Sequence, residues 1–270
     1  MPHGDPHPAL GESLAPVLAE PSSTALMFDI DGTLAPIVTN AQDAHVPTEV
    51  SVALGRMCSR FALVACVSGR GAAEARRIVG VGGAAYAGAH GAELLMPGAT
   101  KPELAATIAA EQPRVQAFLA AWDQPELRRL RLRIEDKGFI VAFHWRGAPD
   151  EAAAEALAEQ IAEDAEGRGL KIHRGRKVLE VRPSVAFDKG QAVNRLVRES
   201  HARVAMYVGD DNTDLDAFAA LRELVNANQL ELAVCVGVNS AEAPPELAAM
   251  SDLCLDGPAG VKHLLQLLAG

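Results

Sequence analysis

The sequence predicts an α/β protein in which a doubly wound parallel sheet is interrupted by a smaller inserted α+β cap domain. Three observations predict it. Short apolar runs bounded by turn residues recur at 25–30, 61–67, 202–208 and 232–236, a length that suits buried strands. Stretches with helical spacing lie between them, such as 71–79, 191–200 and 215–224, and this alternation is the pattern of a parallel sheet covered on both faces. The middle of the chain breaks the alternation with two strand pairs around one helix.

Taken in order, residues 1–20 read as a flexible N-terminal tail, because Pro and His crowd its first eight positions; His3 and His7 belong to it. The core is expected over 21–106 and 184–270, and the insertion over 107–183. Within the insertion, alternating segments at 130–135 and 139–146 flank Asp136, Lys137 and Gly138, which reads as a hairpin with Gly in the turn. An acidic, Ala-rich helix pattern starts at Asp150 and ends at Gly167 to Gly169. Two more strand-like segments, 170–173 and 177–181, are divided by Arg174, Gly175 and Arg176.

The composition bounds the function. Hydrophobic residues make up 49% and charged residues 22% of 270, enough apolar surface for a packed core plus a second domain. A formal charge of −10 argues against a nucleic-acid partner, which needs clustered Lys and Arg. The cysteines Cys58, Cys66, Cys235 and Cys254 show no C-x-x-C spacing, and the last three sit in apolar runs, so reduced, buried thiols in a cytoplasmic protein are expected. No apolar stretch reaches the ~18 residues of a membrane span, so no membrane partner is expected. Oligomeric state is left open, with a monomer as the default.

The chemistry concentrates at strand ends. In Phe28-Asp29-Ile30-Asp31-Gly32-Thr33, residues two apart in an extended backbone present Asp29 and Asp31 side by side where open α/β sheets bind ligands. Paired hard-oxygen donors there suit Mg²⁺. A calcium-binding EF-hand loop fails, since counting from Asp29 puts Leu34 and Asn40 where Gly and Glu are needed. Gly209-Asp210-Asp211-Asn212-Thr213-Asp214 follows another apolar run; Asp210 and Asp214 can complete a metal shell, or the loop can simply start a helix. Ser68-Gly69-Arg70 offers a hydroxyl and backbone N–H groups ahead of a helix, an anion-binding arrangement, and Lys189 precedes another helix.

These elements occur in the order Asp-x-Asp, Ser, Lys, Asp-Asp, which resembles the haloacid dehalogenase superfamily. The resemblance implies a Rossmann-like core and an Mg²⁺-dependent phosphatase with Asp29 as nucleophile and metal ligand and Asp31 as general acid and base, its main-chain carbonyl on the metal. It implies that Ser68 and Lys189 meet the phosphoryl group, with Gly69 and Arg70 beside it, and that Asp210 and Asp214 hold the metal. More narrowly, Gly209 to Phe218 and Gly88-Ala89-His90-Gly91-Ala92-Glu93 resemble segments of the trehalose-6-phosphate phosphatases, as do Glu135-Asp136-Lys137, His144-Trp145-Arg146 and the run 175–183. That match implies trehalose 6-phosphate as substrate and a sugar site containing Lys137, His144, Lys177 and Glu180. Leu215 departs from the family's Glu. Phosphatases for sucrose 6-phosphate or for glucosyl- or mannosyl-3-phosphoglycerate, a phosphohexomutase, and a non-catalytic sugar-phosphate sensor are the alternatives.

Overall fold

The structure, a computed structural model, describes residues 7–38, 44–122, 125–240 and 243–270. The first part of the chain forms α1 (His7–Ala19), β1 (Thr24–Phe28), α2 (Thr48–Met57), β2 (Leu63–Val67), α3 (Ala72–Val79), β3 (Ala85–Gly88), β4 (Glu93–Leu95) and β5 (Glu103–Leu104). Then follow α4 (Ala106–Trp122), α5 (Pro125–Arg129), β6 (Arg133–Asp136), β7 (Val141–His144), α6 (Glu151–Gly167), β8 (Lys171–Gly175) and β9 (Val178–Arg182). The last part forms α7 (Lys189–Ser200), β10 (Val204–Gly209), α8 (Asn212–Asn226), β11 (Leu232–Asn239), α9 (Pro245–Met250), β12 (Leu253–Asp256) and α10 (Gly257–Ala269).

The chain divides into two compact units, Met1–Glu103 with Phe187–Gly270, and Leu104–Ala186. In the first, the sheet order is β12-β11-β10-β1-β2-β3-β4-β5; β12 through β3 run parallel and β4 turns back antiparallel. Every residue of β1 and β2 is buried, because helices cover both faces, so the strands read as continuous apolar runs. Leu26, Phe28, Val64 and Cys66 face a core shared with α1, α2, α3 and α10, while Ala25, Met27, Ala65 and Tyr207 face one shared with α7, α8 and α9. This is the doubly wound sheet expected from the alternation.

The second unit carries its own apolar core under a four-stranded antiparallel sheet of order β6-β7-β9-β8. Val141, Phe143, Leu179 and Val181 alternate along β7 and β9 and pack with Val115, Phe118 and Ile161 of the helices. Asp150 starts α6 by accepting from Ala153 N at 2.9 Å. The β6–β7 turn forms as its Gly predicts: Gly138 has φ +83° and its N–H donates to Asp136 Oδ1 at 2.7 Å.

Four expectations are corrected. Of the segment read as a tail, 7–19 is helical, with Leu14 and Val17 almost wholly buried and Thr24 Oγ1 donating to the carbonyl of Glu20 at 2.9 Å; His3 lies outside the described residues. Pro and His marked a loose end, yet later residues supply the apolar positions that dock this helix. Lys189 is the first residue of α7 and does not precede it. The β8–β9 turn comes at Arg176 and Lys177, with Lys177 left-handed at φ +62°, later than Gly175 suggested. Cys254 is exposed, because β12 is a sheet edge; all four thiols are unpaired. Among the described residues no helix is long and apolar enough to cross a membrane.

Both tryptophans, Trp122 and Trp145, lie in the inserted unit, so their fluorescence reports on it. Phe143→Ala empties a fully buried position there and is expected to remove about 3–5 kcal/mol. Urea unfolding followed by tryptophan emission checks this; an unshifted midpoint would contradict the placement of Phe143.

Candidate active site

β2, β1 and β10 are parallel neighbours, so the segments leaving their carboxyl ends emerge together. After β1 the ladder extends one more residue, Asp29 N donating to Val208 O at 2.8 Å, and the chain then turns tightly as Ala35 N donates to Ile30 O at 2.8 Å. Gly32 has φ +96°, and a Cβ there would fall 2.1 Å from Asp210 Oδ2. Only glycine allows the Asp210 carboxylate to lie against this main chain, where Thr33 Oγ1 donates to its Oδ1 at 3.1 Å.

Lys189 is 1% exposed, and its ammonium donates to Asp29 Oδ1 and Asp214 Oδ1 at 2.7 Å each. Asp188 fixes the start of α7 by accepting from Gln191 N at 2.8 Å. Asp214 Oδ1 also accepts from the Tyr207 hydroxyl at 2.7 Å, and its Oδ2 accepts from the N–H groups of Asp210 and Asp211 at 2.8 and 3.0 Å. These bonds fill about four lone-pair sites, the capacity of one carboxylate. The neighbouring aspartates divide two tasks: Asp210 turns to the Asp29 loop, and Asp211 caps α8 by accepting from Thr213 N and Asp214 N.

The Ser68-Gly69-Arg70 loop is held from the β3 side. Ala89 and His90 are both left-handed, with φ of 48° and 55°, a strain of about 1 kcal/mol or more each. That conformation lets Ala89 N donate to Arg70 O at 2.7 Å and His90 N to Ser68 O at 3.0 Å. Gly88 lies so close that a Cβ would sit 2.1 Å from Ala72 N, and Glu93 Oε2 accepts from that N–H at 2.8 Å, capping α3 from another strand. Arg70 reaches Asp31 with two bonds of 2.7 and 2.8 Å. Asp29, Asp31, Ser68, Gly69, Arg70, His90 and Lys189 are among the residues lining a cleft of about 390 Å³.

The charge balance of this cleft is negative. One oxygen from each of Asp29, Asp210 and Asp214 lies within 4.8 Å of the others. Burial pushes Asp29 well above the usual carboxylate range, and Lys189 pulls it back only in part. Burial, then the charge of Asp214, pushes Asp210 up to about 6. Burial works against the charge of Lys189, yet Asp29, Asp214 and Asp211 outweigh it and keep the ammonium protonated. One buried cation faces a surplus of carboxylates, and a hard, oxygen-seeking dication fits the oxygens that Asp29 and Asp210 present. Asp29 and Asp210 retain free lone pairs for it, whereas those of Asp214, which the sequence also offered as a metal ligand, are occupied by its four hydrogen bonds.

In the inserted unit, His144 Nε2 lies 3.0 Å from Glu135 Oε2, and Lys137 Nζ 3.7 Å from Glu135 Oε1. Glu135 and Glu180 flank Ala142 in one row across the sheet, on the face opposite the apolar core. Glu180 accepts from Arg182, two residues along the same strand, at 2.5 Å. Lys177 is placed otherwise, pairing with Glu151 at the start of α6 at 2.5 Å.

A family model described as trehalose-phosphatase matches residues 27–247. The chain belongs to the trehalose-phosphatase family. It is 36% identical over 203 residues to a trehalose-phosphate phosphatase of Mycobacterium marinum, covering 73% of this chain and 51% of that protein. It is 30% identical over 289 residues to a trehalose 6-phosphate phosphatase of Zea mays, covering 99% and 77%. The chain spans about half the length of the mycobacterial trehalose-phosphate phosphatases it matches, and 15% of a Mycobacterium tuberculosis protein described as a glycosyl hydrolase. In fold it resembles the trehalose-6-phosphate phosphatase of Aspergillus fumigatus, with a TM-score of 0.62 at 24% identity over 96% of each chain.

Tyr207, Thr33 and the pairing of Arg70 with Asp31 were not found from the sequence. A hydroxyl in an otherwise apolar strand was the available signal for Tyr207, since a buried Tyr needs a partner. Folded Asp210 keeps its proton up to about 6, above the unfolded value near ~3.9, so folding takes up a proton across that window. In EDTA, the contribution of Asp210 to stability is therefore expected to fall as pH rises through it. Asp210→Asn should flatten this slope and raise stability at about pH 8 by about 1–3 kcal/mol. Urea unfolding at about pH 4 and about pH 8 checks it; a variant as pH-sensitive as the wild type would overturn it.

Proposed function

We propose that the protein hydrolyses trehalose 6-phosphate to trehalose and phosphate, with Asp29 as nucleophile and Mg²⁺ as cofactor. The observation that carries this reading is the convergence of Asp29, Asp31, Ser68 and Lys189 on one cleft, in a chain of the trehalose-phosphatase family. Phosphate monoesters hydrolyse very slowly unaided, so positioning and charge neutralisation must supply most of the acceleration.

In this reading the Ser68 hydroxyl and the Lys189 ammonium bind the phosphoryl oxygens. An Asp29 oxygen attacks phosphorus in line; its bond to phosphorus forms as the bond from phosphorus to the sugar oxygen breaks. Asp31 gives its proton to that oxygen. It then takes a proton from the water that attacks phosphorus, and Asp29 leaves as a carboxylate. Asp29, Asp210 and the main-chain carbonyl of Asp31 would hold Mg²⁺, which when bound neutralises charge on the phosphoryl oxygens. Asp214 acts by holding Lys189 and the main chain of Asp210 and Asp211. On the inserted unit, Glu135, Lys137, His144 and Glu180 offer donors and acceptors suited to sugar hydroxyls. Unpaired thiols suit a reducing, cytoplasmic setting.

A phosphate-release panel of trehalose 6-phosphate, sucrose 6-phosphate and glucosyl- and mannosyl-3-phosphoglycerate tests the reading. Turnover is expected mainly on the first, and EDTA should abolish it. Equal turnover of all four would remove the substrate assignment, and indifference to chelation would remove the metal. Asp29→Asn should fold and bind substrate but lose at least about 10³-fold in kcat, since no other group can replace the nucleophile. Glu180→Ala should raise KM for the disaccharide phosphate about tenfold while sparing p-nitrophenyl phosphate; equal losses on both would place Glu180 outside sugar recognition.

A further inference from the structure

Arg70 follows Ser68 in the loop beside the cleft, where an arginine would ordinarily be assigned to the phosphate. Its side-chain hydrogen bonds to described residues point elsewhere. Nε donates to Asp31 Oδ2 at 2.7 Å, Nη2 to Asp31 Oδ1 at 2.8 Å, and Nη1 to Glu74 Oε1 at 2.9 Å. All three nitrogens are thus engaged with carboxylates. The side chain is only 12% exposed, and its hydrogen bonds to Asp31 hold the guanidinium firmly protonated. A planar two-bond fork fixes both the position and the plane of the carboxylate it meets.

Asp31 needs that help. It lies three residues past the end of β1, in the tight turn that Gly32 permits, and its side chain is 36% exposed. Asp29 is held by Lys189 inside the protein; among the bonds the structure gives Asp31, the fork from Arg70 is its side-chain anchor. Each carboxylate oxygen has two lone-pair sites, so the fork leaves one on each for a proton. The Arg70 main chain is fixed in turn, its N–H donating to Ser68 Oγ at 3.1 Å and its carbonyl accepting from the strained Ala89.

We propose that Arg70 is a positioning residue for the proton-transferring Asp31 and not a phosphate ligand. The strained 89–90 segment, the Arg70 main chain and the guanidinium form one brace that holds the Asp31 carboxylate towards the departing sugar oxygen. The inference rests on the proposed phosphatase reading. In the step concerned, the Asp29 oxygen bonds to phosphorus, the phosphorus–oxygen bond to the sugar breaks, and the Asp31 proton passes to that oxygen.

The two roles differ in their dependence on the leaving group. A sugar alkoxide needs the proton, whereas p-nitrophenolate leaves without it; a phosphate ligand would matter equally to both. Arg70→Ala is therefore expected to lower kcat/KM for trehalose 6-phosphate by about 10²-fold and for p-nitrophenyl phosphate by less than about threefold. Arg70→Lys, which keeps the charge but not the fork, should show the same selectivity with a smaller loss. Circular dichroism and urea unfolding establish that both variants are folded, and if Arg70→Ala is not, Arg70→Lys decides alone. Equal losses on the two substrates, or a rise in the inhibition constant of inorganic phosphate matching the loss in kcat/KM, would overturn the assignment. A wild-type protein that releases no phosphate from either substrate would instead refute the phosphatase reading.

Discussion

The site is built around one buried ammonium. Lys189 starts a helix that follows the inserted unit, yet its Nζ sits between Asp29, at the end of the first strand, and Asp214, in the first turn of α8. Burying these charges is tolerable only because they are paired and hydrogen-bonded, and removing one partner from such a group typically costs about 3–5 kcal/mol. Three segments remote in sequence therefore have to meet in one arrangement. The rest of the cleft is fitted to that arrangement: Tyr207 supports Asp214 from within the sheet, and Gly32 lets Asp210 approach the Asp29 loop.

The pairing leaves the charge deliberately incomplete. Asp29 and Asp210 are both pushed towards protonation by burial, and a single lysine does not balance them. Such a site is held together by its pairs and keeps a surplus of negative charge. The surplus of carboxylates and the strained Ala89–His90 backbone both carry free energy that the surrounding sheet and helices offset.

Much of this was legible in the sequence, for a physical reason. Strands covered on both faces read as uniform apolar runs, and polar residues directly after such runs emerge at the carboxyl ends of the strands. That logic located Asp29, Ser68 and Asp210 without coordinates. What it missed depends on partners distant in sequence. Arg70 and Asp31 are 39 residues apart, and nothing in either loop announces their pairing. Tyr207 lies in a strand with no alternation to mark it. Lys177 looked like a strand residue because Gly175 looked like the turn, and the left-handed backbone at Lys177 shifts the turn to Arg176 and Lys177. Helix α1 was hidden because its Pro and His content resembles a loose end, while the Leu14 and Val17 that dock it are too few to form a pattern.

The loop after β10 puts two aspartates to different uses in consecutive positions, Asp210 facing the Asp29 loop and Asp211 opening α8. Winding of that helix's first turn and assembly of the negative cluster are consequently a single event. A transient fraying confined to Asn212–Asp214 would release Asp214 from Lys189 and scatter the cluster while leaving both cores packed. The lifetime of one helical turn, readable as amide exchange at Thr213 and Asp214, thus sets an upper bound on how continuously the molecule can remain competent.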